Sequence, residues 1–222
     1  MPELLLIRHG QASFGKADYD VLSDLGWDQA RELGRALRRL GLVPDRLFIG
    51  AQRRHRETLE GIVEGLGFGP GDATVHPGLN EFDFKALLDA RFAGGDAPEG
   101  LHDDRKTHFR MLRDTVLDWE RGQIPNAPES WEAFSARVED ARQAITQSGG
   151  QRVLAVSSGG AIGRMVSAAM GAGEGSQIKL QLQTKNCAMA RFVFGPRAFY
   201  LHSFNEVPHI DGENEARLLT YS

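Results

Sequence analysis

Residues 152–163 read RVLAVSSGGAIG. The apolar run Val153–Val156, rich in β-branched side chains, enters a Ser-Ser-Gly-Gly turn, and Ala161–Met170 follows with helical character. A strand that feeds a helix through a tight polar turn is a common way to build an anion site, because the first N–H groups of a helix have no intrahelical partner and point outward. The unit also bears on fold class. Repeated along a chain, strand and helix in alternation argue for a largely parallel sheet with helices on both faces.

The alternation extends in both directions. Leu4–Ile7 reads as a short buried strand. In LSDLGWDQARELGRALRRLG (22–41), Ser23 stands at an N-cap position, Leu25, Ala30, Leu33, Leu37 and Leu40 share one helical face, and Gly41 sits where a C-terminal glycine belongs. A second strand in DRLFIG (45–50), a second helix in RHRETLEGIVEGLG (54–67) and a weak third strand in ATVH (73–76) follow. Residues 84–148 turn helical: Phe109, Leu112, Val116 and Trp119 form one stripe, and Phe134, Val138, Ala141 and Ile145 form another behind a Ser130 cap. CAMARFVF (187–194) and FYLHSF (199–204), joined by GPRA, read as a hairpin that adds an antiparallel edge. The expected architecture is a three-layer α/β/α domain over residues 1–222 with a mostly parallel central sheet and a helical insert or cap at 84–148.

A chain of 222 residues buries a sizeable core. A net charge of −4 gives no basic excess to recruit nucleic acid, and no apolar stretch reaches membrane-spanning length. The four apolar residues before Arg8 lack the basic leader of a signal peptide. One cysteine, Cys187, allows neither an internal disulfide nor a cysteine metal cluster, so a reducing, cytoplasmic setting is expected.

Three segments carry candidate chemistry. IRHGQA (7–12) leaves the first strand at the sheet edge where ligands of open α/β sheets lie, and offers the Arg8 guanidinium and the His9 imidazole. GAQRRHRETLEGI (50–62) sets Arg53, Arg54 and Arg56 around a helix start, with Arg56 and Glu57 assigned to a solvated face. PGLNEFDF (77–84) brings Glu81 and Asp83 to the same edge if the connections are right-handed.

Together these segments resemble the histidine phosphatase, or phosphoglycerate mutase-like, superfamily, over nearly the whole chain. Arg8-His9-Gly10 matches its hallmark, and LSDLGWDQARELG matches its Leu-Thr/Ser…Gly…Gln-Ala helix. RRHRET matches its second arginine motif with Arg54 and Thr58, LNEFDF carries Glu81 at the position of the acid, and SFNEVPHI is similar to its Asn…His ending. The resemblance implies two-step phosphoryl transfer: neutral His9 attacks phosphorus, Glu81 protonates the departing oxygen, and water then releases phosphate. Arg8 and Arg54 would hold the equatorial oxygens, and neither metal nor cofactor is required. The expected ligand is a small phosphorylated substrate or inorganic phosphate. A homodimer is compatible with this reading.

Ser158 departs from the pattern, which places a histidine there to complete a cationic pocket. A serine hydroxyl and the N–H groups of Gly159 and Gly160 still offer hydrogen bonds. Exchanging a charge-assisted bond of about 1.5–3 kcal/mol for a neutral one of about 0.5–1.5 costs on the order of tenfold in transition-state stabilisation. His55 and Arg53 are candidate replacements. A residue next to Arg54 on a helix points about 100° away, so a surface or core-edge place is expected for His55. His102 and His108 are candidate lid residues, Phe14, Lys16 and Tyr19 candidate substrate contacts, and Asn205 and His209 are expected to organise the C-terminal turn.

Other readings fail on detail. A nucleophile elbow needs Gly-x-Ser-x-Gly, whereas Val156 stands two residues before Ser158. Gly159, Gly160 and Gly163 do not form Gly-x-Gly-x-x-Gly, and there is no Gly-Lys-Ser/Thr. The rivals that remain are a phosphate-ligand binding protein without turnover, favoured by Ser158, and a phosphoglycerate mutase.

Overall fold

Strand β1 (Glu3–Arg8) fixes the centre of the molecule. Its four apolar residues Leu4–Ile7 have no exposed surface, as a strand covered on both faces requires. The structure is a computed structural model that describes residues 1–13, 20–69, 71–95 and 105–221. Along the chain β1 is followed by α1 (Asp24–Arg39), β2 (Arg46–Ile49), α2 (Arg53–Leu66) and β3 (Thr74–Val75). A 3-10 turn (Pro77–Leu79) precedes three helices, α3 (Phe84–Arg91), α4 (Arg105–Glu120) and α5 (Trp131–Thr146). Then come β4 (Arg152–Ser157), α6 (Gly159–Ala169), α7 (Ser176–Gln183), β5 (Met189–Gly195), β6 (Ala198–Glu206) and the short α8 (Glu215–Leu218).

The six strands lie in the order β3-β2-β4-β1-β5-β6. β1, β2, β3 and β4 pair in parallel, while β5 runs antiparallel to both β1 and β6 and so makes the expected antiparallel margin. Strand residues alternate faces, and the core divides accordingly. Leu5, Ile7, Ile49, Leu154 and Val156 pack against α1 and α2 through Leu33, Leu37, Leu59 and Ile62. Leu4, Leu6, Phe48, Val153 and Ala155 face the other way, onto Val116 and Trp119 of α4, Phe134, Val138 and Ile145 of α5, and Ile162 of α6. The result is the three-layer α/β/α fold, with α4 and α5 sharing one core with the sheet.

Local signals account for the helix ends. Ser23 accepts from Gly26 N at 3.1 Å and Ser130 from Ala133 N at 3.1 Å, each capping its helix. Gly67, at φ 79°, ends α2 in a left-handed conformation suited to glycine. α1 and α2 approach closely enough that a Cβ on Gly34 would lie 2.1 Å from the Ile62 carbonyl oxygen, and one on Gly65 2.1 Å from that of Arg31. The contact is backbone against backbone, which holds the helix bearing Arg54 in a fixed place.

The structure adds elements that the sequence pattern does not announce. α7 and α8 lie where no helix is expected, and α6 begins at Gly159 rather than Ala161. The third strand shrinks to two residues. Phe14, Lys16, Tyr19 and His102 lie outside the described residues, as does the side chain of His108. Among the described residues no helix is long and apolar enough to cross a membrane.

Candidate active site

β1 and β4 end side by side, and the backbone after them carries most of the site. The His9 N–H donates to the Ser157 carbonyl at 3.0 Å, which keeps the exit of β1 in register with that of β4. The next turn is fastened to α2: Gly10 N–H donates to Thr58 Oγ1 at 3.0 Å, and the Thr58 hydroxyl donates to the Arg54 carbonyl at 2.7 Å. Its other side is held by Gln29, whose Oε1 accepts from Gln11 N at 2.9 Å while its Nε2 donates to the Leu218 carbonyl at 2.8 Å.

The His9 ring is buried, and its Nδ1 lies 2.8 Å from the carbonyl of Gly10. A carbonyl only accepts, so the proton is on Nδ1 and the Nε2 lone pair is available. Burial, followed by the charges of Arg54 and Arg8 and by His55, pushes the His9 pKa well below its ordinary value. The ring is therefore neutral at neutral pH.

Arg8 and Arg54 are each held by oxygen acceptors. The Arg8 guanidinium donates to the carbonyls of Thr184 and Tyr221. Arg54 is 6% exposed, and its Nη1 donates to Asp20 Oδ1 at 2.7 Å. Asp20 also accepts from the N–H of Arg53 at 2.8 Å, at the start of α2. No sequence motif marks Asp20.

Glu81 is carried on a braced loop. Arg137 of α5 donates to the carbonyls of Pro77 at 3.1 Å and Asn80 at 2.8 Å, and Ser157 donates to that of Leu79 at 2.7 Å. Gln52, at the N-cap position of α2, accepts from Glu81 N through its Oε1 at 3.0 Å. The carboxylate itself accepts from Gly160 N at 3.0 Å and Phe82 N at 3.2 Å. Burial raises the Glu81 pKa, and it outweighs these two N–H groups and the cations Arg54 and Arg8, all of which favour the charged form. Asp83 lies apart as the cap of α3, accepting from Ala86 N at 2.9 Å.

The Ser158 turn departs from expectation in two ways. The N–H of Gly160 is bound by Glu81 and not left for an anion, whereas Gly159 lies beside Arg8, whose Nε would be 3.7 Å from a Cβ at that position. His55 is fully buried, not at a surface or core edge. Its Nε2 lies 2.7 Å from Ser158 Oγ, and its ring centroid is 5.8 Å from that of His9. Glu57 is likewise buried, accepting from Leu22 N at 2.7 Å and from Arg53 Nε at 2.7 Å, so the solvated face assigned to it is not seen. Arg53 is thus paired with Glu57. Asn205 joins the β6 end to the turn before β5, accepting from Lys185 N at 2.9 Å and donating to the Gln183 carbonyl at 2.8 Å.

Among the described residues no cluster of His, Cys, Asp and Glu could hold a metal ion. What the site does hold is a neutral imidazole with a directed lone pair, a carboxyl biased toward its protonated form, two guanidiniums that act on both, and a helix N-terminus.

Fold and site together define an α/β enzyme of phosphoryl chemistry. The profile of the histidine phosphatase superfamily (branch 1) matches residues 4–207, and the chain belongs to that superfamily. It is 34% identical over 120 residues to a 2,3-bisphosphoglycerate-dependent phosphoglycerate mutase of Parvibaculum lavamentivorans, a match spanning 49% of this chain and 56% of that relative. It is 29% identical over 199 residues to the protein named "Probable phosphoglycerate mutase GpmB" of an Enterobacter species, covering 86% of this chain and 84% of the other. A mycobacterial glucosyl-3-phosphoglycerate phosphatase, solved with inorganic phosphate, superposes with a TM-score of 0.67 at 19% identity, over 95% of this chain and 100% of its own.

Proposed function

We propose that the protein is a phosphomonoester hydrolase working through a phosphohistidine on His9. The observation that carries the reading is the His9 Nδ1 bond to the Gly10 carbonyl, which leaves Nε2 as an unprotonated nucleophile in a pocket shared with Arg8 and Arg54. Nε2 attacks phosphorus, forming the N–P bond as the ester P–O bond breaks. Glu81, with its raised pKa, delivers its proton to the departing oxygen. It then takes a proton from the water that attacks the phosphohistidine, and phosphate leaves with His9 neutral again. Arg8, Arg54 and the Gly159 N–H neutralise the oxygens in both steps, with Ser158 as a further hydrogen-bonding wall.

The substrate is a small phosphorylated molecule. Inorganic phosphate in the mycobacterial relative is consistent with a product of this kind. The two mutase-named relatives favour a second reading, in which the phosphoryl group returns to a bound phosphoglycerate. A serine at position 158 gives that group no direct contact with a cation, so it is held less firmly, which favours its loss to water.

The test is metal-free hydrolysis of a panel of phosphomonoesters by the purified protein, with His9→Ala as control. Turnover above the control, with acid-labile phosphate trapped on His9, is the expected result. Turnover equal to the control would leave only ligand binding, and bisphosphoglycerate-dependent interconversion of phosphoglycerates faster than hydrolysis would establish the mutase.

A further inference from the structure

Ser158 stands at the N-cap of α6 with extended backbone, yet its side chain caps nothing. Its hydroxyl has one proton; with the His55 proton on Nδ1, two acceptors are in reach, His55 Nε2 at 2.7 Å and Gln52 Oε1 at 3.4 Å, and we assign the proton to the shorter contact. The oxygen that remains faces Arg54 Nη2 at 3.4 Å. A serine so engaged is an acceptor toward the pocket, which is the wrong polarity for a phosphoryl oxygen. Room for this arrangement is specific to the site: a Cβ on Gly50 would lie 2.3 Å from His55 Nδ1. The His55 ring is therefore seated against bare backbone, and the Gly50 carbonyl favours a proton on Nδ1 although the bond is not well aligned.

We propose that His55 is the imidazole of the phosphate pocket, acting at one remove: its Nε2, which here accepts the Ser158 hydroxyl proton, becomes a donor to Ser158 when phosphate binds, so that the hydroxyl turns to a phosphoryl oxygen. This rests on the phosphate-pocket reading above. The proton balance is simple. The Ser158 O–H bond stays intact and changes acceptor from Nε2 to the phosphoryl oxygen. Nε2 takes one proton, from solvent or from the monoanionic form of the ligand, and His55 becomes an imidazolium that donates to Ser158 Oγ from Nε2 and toward the Gly50 carbonyl from Nδ1.

The charge logic supports the switch. The groups that face His55 are His9 from the β1 exit, Arg54 on its own helix, Ser158 from α6 and the Gly50 backbone after β2. Burial and then Arg54 hold it neutral, well below its ordinary pKa. A phosphate dianion offsets the guanidinium charge, the second cause, and its own negative charge works against the first, the burial, which remains. The cation absent from position 158 returns on the neighbouring helix, and His55 serves as a positioning residue without touching the ligand.

Inorganic phosphate added to the full-length protein, labelled with 15N-histidine, tests this directly, because ring-nitrogen spectra distinguish protonated from unprotonated positions. At saturation His55 Nε2 is expected to become protonated, with uptake of up to about one proton per phosphate in calorimetry across buffers. A response at His9 with His55 Nε2 unchanged overturns the switch and leaves the phosphate pocket standing. No response at either ring at millimolar phosphate overturns both.

Kinetics give a second readout. Ser158→Ala and His55→Ala should each lower kcat/KM by about tenfold, and the double variant by little more, because each acts through the other. Placing the imidazole on the other wall, Ser158→His with His55→Ala, should recover most of the loss, whereas Ser158→His alone crowds two rings and should not. His55→Gln keeps a buried amide donor and should lie between wild type and His55→Ala. Additive losses that follow the melting temperature, with no recovery in the exchanged pair, would assign His55 a packing role and refute the proposal.

Discussion

Gly160→Ala tests Glu81 as the proposed acid, apart from the rest of the pocket. A Cβ there would lie 2.0 Å from Glu81 Oε1, and 2.5 and 2.9 Å from two carbons of the Phe82 ring. Ordinary contact begins at about 3.4 Å, so the carboxyl must retreat by roughly 1.4 Å (3.4 − 2.0) or turn away. A misplacement of about 1 Å costs on the order of a hundredfold, within the hundred- to ten-thousandfold that general acid catalysis supplies. Alanine is the better helix former by about 1 kcal/mol, so any loss of stability comes from crowding, which costs about 1–3 kcal/mol. The assay compares an alkyl phosphate, whose leaving group must be protonated, with a nitrophenyl phosphate, whose leaving group departs as an anion. We expect kcat/KM on the alkyl ester to fall about a hundredfold and on the aryl ester much less. Equal losses on both esters, or full activity on the alkyl one, would show that Glu81 is not the acid.

Three further outcomes follow from the same geometry. The proposed mechanism needs neutral His9, whose pKa is lowered, and protonated Glu81, whose pKa is raised, so kcat/KM should fall below the His9 value and above the Glu81 value; Glu81→Gln should remove the alkaline limb, and a limb that persists would assign it to another group. Asp20→Asn keeps an acceptor for Arg54 but removes a charge beside it, so inhibition by phosphate should tighten by about two- to fivefold, the scale of a half-exposed ion pair; weaker inhibition would mean that Asp20 chiefly orients Arg54. Burial lowers the His209 pKa to about 4, so the unfolded chain binds a proton there that the folded one refuses. Stability present above about pH 6.5 is lost toward pH 4, by up to about 3 kcal/mol, and His209→Asn should flatten that slope in urea titrations; an unchanged slope would exclude His209 as a source.

The layers were legible because strand and helix periodicities are strong where both faces are buried. Leu4–Ile7 and Val153–Val156 announce central strands, and Ser23 and Ser130 announce helix starts that the structure caps as expected. α7 was not legible: SQIKLQLQ buries Gln177 and Ile178 and shows no sustained stripe. Gln52 and Asp20 were silent because single polar side chains show no periodicity, and only the fold brings Gln52 to Glu81 and Asp20 to Arg54, while Glu57, read as solvated, is buried and bonded to Leu22 N. His55 was misjudged for a geometric reason. The turn of about 100° between adjacent helical residues separates them along a helix flank, but at the first turn of α2 both Arg54 and His55 reach Ser158.

The place of β1 also dictates the order in which the protein can be completed. Its neighbours are β4 and β5, both from the last third of the chain, with Leu4 beside Val153 on one side and Phe192 on the other. During synthesis β1 emerges ahead of α1, β2 and α2, yet the apolar Leu4–Ile7 segment gains its first neighbour only with β4 and its second only once Gly195 has been made. His9, at the exit of β1, is thus made well before the strands that position it. A chain arrested before β4 carries His9 but not its register to Ser157, and exposes four apolar residues for a chaperone to hold.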